Sequence, residues 1–115
     1  MKDPIAPFTI ALLLPLLAIA HAMATATTPA NGETLKKAPT EFTLTFNEPA
    51  TLSRVTLQKT GEMDTQEISP VPSVAAERVT LPAPKLAPGE YTLLYRATGP
   101  DGHVMPGTVK FTIAP

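Results

Sequence analysis

The sequence predicts an all-β domain, a small β-sandwich or barrel. Over short runs, apolar residues alternate with polar ones, which is the period of a strand buried on one face. Turn-forming clusters of Gly, Pro, Asn and Asp separate these runs at fairly regular intervals. In addition, 14 prolines are scattered along 115 residues, which leaves little room for a helix longer than two turns.

Over residues 41–47, Phe42, Leu44 and Phe46 share one face and Thr43 and Thr45 the other. Residues 54–58, 78–81 and 109–113 alternate in the same way. The run over 90–96 is longer and aligns Tyr91, Leu93 and Tyr95. Between the runs stand Pro29-Ala30-Asn31-Gly32, Lys59-Thr60-Gly61-Glu62, Ala87-Pro88-Gly89 and Pro100-Asp101-Gly102, all good turn formers. Residues 69–76, with Pro70 and Pro72, are expected to form an irregular crossing.

The 43% hydrophobic content is unevenly placed, with much of it in the first twenty residues. Lys2 opens the chain with a positive charge, blunted by Asp3, and residues 5–20 carry no charge. An apolar block over 8–17 ends in Ala18-Ile19-Ala20, which puts small residues at −3 and −1 of a signal-peptidase site. Residues 1–20 are therefore expected to be a cleaved secretory signal, and residues 21–115 a single exported domain. A membrane anchor is the alternative. The uncharged stretch is near the lower limit for spanning a bilayer, and Pro7 and Pro15 interrupt it. No twin arginine or lipobox cysteine occurs, so the general secretory route is expected. No second apolar stretch follows, so no membrane insertion is expected after cleavage. Cleavage after Ala22 or Ala24 would also meet the small-residue rule.

Composition excludes several function classes. The chain has 9 Lys+Arg against 10 Asp+Glu, a net charge of −1, and no basic cluster to neutralise phosphates. No nucleic-acid partner is expected. The absence of cysteine removes disulfides, zinc ribbons, iron–sulfur ligation and thiol catalysis together. Only 6 glycines are present, with no GxxxxGK[ST] or GxGxxG phosphate loop.

The two histidines, His21 and His103, carry the chemical signal. His21 would be the first residue of the cleaved chain, and an N-terminal histidine is a chelator by itself. Its α-amine and Nδ1 close a six-membered ring on one ion, giving two nitrogen donors from one residue. His103 lies two residues after Asp101, so in extended chain their side chains point the same way. Together His21, Asp101 and His103 would supply three nitrogens and one oxygen. That set suits tetragonal Cu(II) better than zinc or a hard, oxygen-seeking cation. An α-amine has a reference pKa of about 7.7–8.0 and an imidazole about 6.5. Metal must displace those protons, so affinity should fall as pH drops below neutrality. The competing reading makes His21 an ordinary surface residue and Pro100-Asp101-Gly102-His103 an ordinary turn.

From His21 the chain reads His-Ala-Met-Ala-Thr-Ala-Thr-Thr-Pro-Ala-Asn-Gly. This resembles the mature start of the CopC/PcoC (YobA-like) family of periplasmic copper-resistance proteins. Leu44-Thr45-Phe46-Asn47-Glu48 is similar to that family's Leu-x-Phe-Ser-Glu strand, and Leu86-Ala87-Pro88-Gly89-Glu90-Tyr91 to its Leu-x-Pro-Gly-x-Tyr turn. Asp101-Gly102-His103 with Gly107 and Phe111 is similar to its Asp-Gly-His ending. The resemblance covers the whole of 21–115. It implies a Greek-key β-barrel of cupredoxin-like topology, periplasmic location and copper homeostasis or resistance. It also implies one Cu(II) per chain, bound by His21, Asp101 and His103. Glu48 matches a carboxylate of the family's early strand and is read as a strand-end surface group before Pro49.

Two departures stand out. Some family members bind Cu(I) through a methionine-rich loop with a further histidine. Here Met23, Met63 and Met105 are dispersed, so no Cu(I) site is expected. Thr98-Gly99-Pro100 stands where the family more often has small or β-branched residues and serine, and Pro100 fixes the approach to Asp101. His103 is therefore expected to matter more than Asp101.

The leading expectation is a non-catalytic, monomeric Cu(II) carrier or buffer, with a membrane copper transporter or another periplasmic copper protein as its partner. One alternative is a histidine-brace copper oxidase. That enzyme would need a flat aromatic surface, which a chain with no Trp and two Tyr is poorly equipped to supply. The other alternative is a metal-free, immunoglobulin-like structural module.

Overall fold

The computed structural model describes residues 22–115. His21 and the expected signal segment lie outside the described residues. Among the described residues there are seven strands: β1 (Ala24–Thr28), β2 (Glu33–Leu35), β3 (Glu41–Lys59), β4 (Thr65–Glu67), β5 (Ala76–Pro82), β6 (Gly89–Thr98) and β7 (Val104–Ile113). No helix occurs among the described residues. The all-β expectation therefore holds, and the strands form a curled sheet that closes partway into a barrel.

Strand β3 organises this architecture. The sequence predicts two separate strands over 41–47 and 54–58, and the structure joins them into one strand of 19 residues. The N-terminal half of β3 lies between β1 and β5, and its C-terminal half between β4 and β6. The pairing to β5 jumps from Thr45 to Ala50, and the pairing to β6 slips between Leu52 and Arg54. Pro49 sits in the first of these irregularities, where it can occupy a strand because no ladder bond needs its missing N–H. The strand bends here and passes from one side of the barrel to the other. Beyond β6 come β7, antiparallel to it, and the short β2, parallel to β7.

The alternating residues predicted to face inward form the core. Phe42, Leu44, Leu81, Val55, Leu93 and Phe111 are all fully buried. The ring of Phe111 lies 5.8 Å from Phe42 and stacks on Tyr91 at 5.6 Å, and Phe46 meets Tyr95 edge-on at 6.0 Å. These separations lie within the favourable range for offset and edge-on aromatic pairs. The predicted turns also form: Gly32, Gly61 and Gly102 adopt positive φ at the expected positions. Residues 69–75 carry no strand, as the paired prolines suggested.

Candidate metal centre

A five-residue loop, residues 99–103, joins β6 to β7 and carries both predicted ligands of the C-terminal half. The last ladder pair before it is Thr98 with Val104. Two backbone bonds then close the loop: Gly99 N–H donates to the His103 carbonyl at 3.1 Å, and Gly102 N–H to the Gly99 carbonyl at 3.0 Å. Gly102 takes φ +83°, which lets the chain reverse between Asp101 and His103.

Within this loop Asp101 holds His103 twice. Its Oδ1 accepts the His103 backbone N–H at 3.0 Å, and its Oδ2 lies 2.9 Å from His103 Nδ1. A carboxylate only accepts, so Nδ1 carries the proton and the lone pair of the neutral ring is on Nε2. This carboxylate–imidazole pairing fixes both tautomer and ring orientation, as it commonly does beside metal-ligating histidines. The His103 side chain is 67% exposed and that of Asp101 30%, so the imidazole faces solvent while its orienting carboxylate is partly sheltered.

The described chain begins beside this loop. Ala22 is only 1% exposed and belongs to the core cluster. A Cβ placed on Gly99 would lie 3.0 Å from the Ala22 Cβ, 3.1 Å from the Ala22 nitrogen and 3.3 Å from Asp101 Oδ1. The nitrogen of Ala22, to which residue 21 is bonded, therefore packs against the same loop that carries Asp101 and His103. Asn47 of β3 fixes the next residue from the other side. Met23 N–H donates to Asn47 Oδ1 at 2.7 Å, and Asn47 N–H donates to the Met23 carbonyl at 3.0 Å.

Glu48 departs from its expected role. It lies inside β3 rather than at a strand end, and it is half-buried rather than a surface group. It shares the inward face with buried Phe46 and Ala50, and its Oε2 is buried with no hydrogen-bond partner among the described residues. An orphaned buried carboxylate oxygen is costly. Here it stands one residue past Asn47, which bonds Met23. The sequence could not show this, because whether Pro49 ends a strand or bends one depends on the pairing of β3 with β5 and β6.

Among the described residues no group of three or more His, Asp or Glu side chains is close enough to hold a metal. The structure joins Asp101 to His103, and the third predicted ligand, His21, lies outside the described residues. The methionines are spread out: Met23 stands beside Asn47, Met105 follows the loop into β7, and Met63 lies in the turn after β3, where Lys59 pairs with Tyr91 at the other end of β6. Asn47 and Gly99 were not singled out in the sequence for any role at the site. They contact Met23 and Ala22, far from them in the chain, which no residue pattern announces.

The CopC domain model matches residues 24–114, nearly all of the described chain. The chain belongs to the CopC domain family. CopC from Methylosinus trichosporium OB3b has a similar structure, with a TM-score of 0.68 and 22% identity over 83% of this chain and 95% of that one. PcoC, a methionine-rich copper resistance protein from Escherichia coli, is similar at a TM-score of 0.60 and 20% identity, over 82% of this chain and 99% of that one. At these identities the likeness speaks for the fold, a β-sandwich or barrel shared by all three chains. No curated protein matches the sequence.

Proposed function

We propose that this CopC-family chain is a periplasmic Cu(II)-binding protein, a carrier or buffer in copper resistance or homeostasis. One Cu(II) per chain would be held by the amine and imidazole of His21, by the imidazole of His103 and by the carboxylate of Asp101. The observation that carries this is the packing of Ala22 against Gly99, which brings the start of the described chain to the oriented Asp101–His103 pair. Export and cleavage after Ala20 would leave His21 as the chain's first residue, free to use its amine. Copper here is cargo. An exposed His103 on a surface loop suits uptake and release, and three nitrogens with one oxygen suit the tetragonal preference of Cu(II). Glu48, with its orphaned oxygen, adds a carboxylate at the same end of the barrel.

A histidine-brace oxidase is the less favoured reading. Tyr91 and Tyr95 both belong to the core, so neither offers a flat aromatic surface for a polymeric substrate. Competition titration with a Cu(II) chelator of known affinity tests the proposal. The expected result is one tightly bound Cu(II), with binding weakened by orders of magnitude in His21→Ala and His103→Ala. A His103→Ala variant that binds as well as the wild type would overturn the assignment. Weak, nonspecific binding indifferent to both changes would favour the metal-free module, and copper-dependent oxygen reduction with ascorbate would favour the oxidase.

A further inference from the structure

Two residues outside the proposed ligand set grip the chain where it enters the fold. The ladder between β1 and β3 runs regularly through Thr28–Thr43, Thr27–Leu44 and Ala26–Thr45, then slips before reaching Ala24–Phe46. Past that slip the bend of β3 begins, and backbone pairing alone no longer holds the arm on both sides. The Asn47 backbone N–H still reaches the Met23 carbonyl, at 3.0 Å. The return bond from Met23 N–H goes to the side-chain carbonyl Oδ1 of Asn47, at 2.7 Å. A neutral amide oxygen thus replaces the backbone acceptor that the bend removes. On the other side of the arm, Gly99 leaves the space that Ala22 occupies. The φ of Gly99 lies outside the left-handed region, so a methyl group there would test space alone and not backbone strain.

We propose that Asn47 and Gly99 are positioning residues for the copper site. Asn47 fixes Met23, Gly99 makes room for Ala22, and together they hold the arm at the Asp101–His103 loop. The proposal rests on the copper reading above. A chelate ligand at the end of a loose arm loses conformational freedom when the metal binds, and an arm held beforehand loses less. Groups that position metal ligands without touching the metal typically contribute about 10–100-fold in affinity.

The test uses the exported protein and reads two quantities. One is amide hydrogen exchange at Met23 in the metal-free protein, followed by NMR. The other is Cu(II) affinity by competition titration. In Asn47→Ala, Met23 protection should fall at least ~10-fold while amides along β6 and β7 keep theirs, and Cu(II) affinity should fall about 10–100-fold. Asn47→Asp keeps an acceptor oxygen and should restore both. Gly99→Ala crowds Ala22 and Asp101 and should weaken Cu(II) binding in the same range. The proposal is overturned if Asn47→Ala keeps wild-type protection at Met23 and wild-type affinity. It is also overturned if protection falls equally along β6 and β7, or if Asn47→Asp restores nothing, because the amide would then serve overall folding only. His21→Ala separates the two ideas. If it binds copper normally, the copper reading fails; if it loses copper while Asn47→Ala does not, only the positioning role fails.

Discussion

At the scale of single residues, the loop chemistry turns on the division of labour between Asp101 and His103. Both oxygens of Asp101 contact His103, so under the copper proposal Asp101 would act partly by orienting the imidazole. Asp101→Ala should therefore weaken Cu(II) binding less than His103→Ala does, and titration of the two variants side by side checks the order. Tyr95 supplies a separate prediction. Burial against Phe46 raises its phenol above the ordinary 10.0. A raised folded-state value means stability that is fully present below the unfolded value and is lost as pH climbs through the folded one. Urea midpoints should thus be flat below pH ~10 on this account and decline above it, and Tyr95→Phe should remove that part of the decline. The Asp101–His103 pair of the loop was legible in the sequence because Asp-Gly-His is a local pattern. Asn47 and Gly99 were not, because what they do depends on backbone groups more than twenty residues distant in the chain.

At the scale of elements, the strands with clean alternation were legible and the others were not. Residues 90–96 and 109–113 gave β6 and β7 because their inward positions are Tyr, Leu, Val, Phe and Ile. Strand β1 reads Ala-Thr-Ala-Thr-Thr, with side chains too small and polar to mark a buried face, and β2 and β4 have three residues each. These short segments are strands because neighbours supply the hydrogen bonds, a property of the sheet rather than of the segment. Phe111 is where β7 meets β3 and β6, through Phe42 and Tyr91. Phe111→Ala should cost about 3–5 kcal/mol, read from denaturant unfolding. Gly107 makes a second test of the β6–β7 pair. It lies opposite Tyr95, and a Cβ there would collide with the tyrosine ring and hydroxyl. Gly107→Ala should destabilise by about 1–3 kcal/mol through overpacking, and the same unfolding measurement reports it.

At the scale of the whole molecule, a small domain without disulfides relies on its core and on whatever it binds. A metal that binds only the folded chain stabilises it by mass action, by about 2.7 kcal/mol at a free concentration of 100 Kd. Cu(II) should therefore raise the melting temperature of the wild type and leave that of His103→Ala nearly unchanged. The copper proposal also depends on where the exported chain begins. An extra residue placed before His21 would take the α-amine away from the histidine and break its chelate ring, and Cu(II) binding should suffer accordingly. The most direct measurement is a native mass spectrum of the protein isolated from the periplasm and given one equivalent of Cu(II). The expected spectrum is a chain starting at His21 with one copper bound. A chain starting at Met23 or later, and copper-free, would contradict the site, because the amine and imidazole of His21 would be lost together.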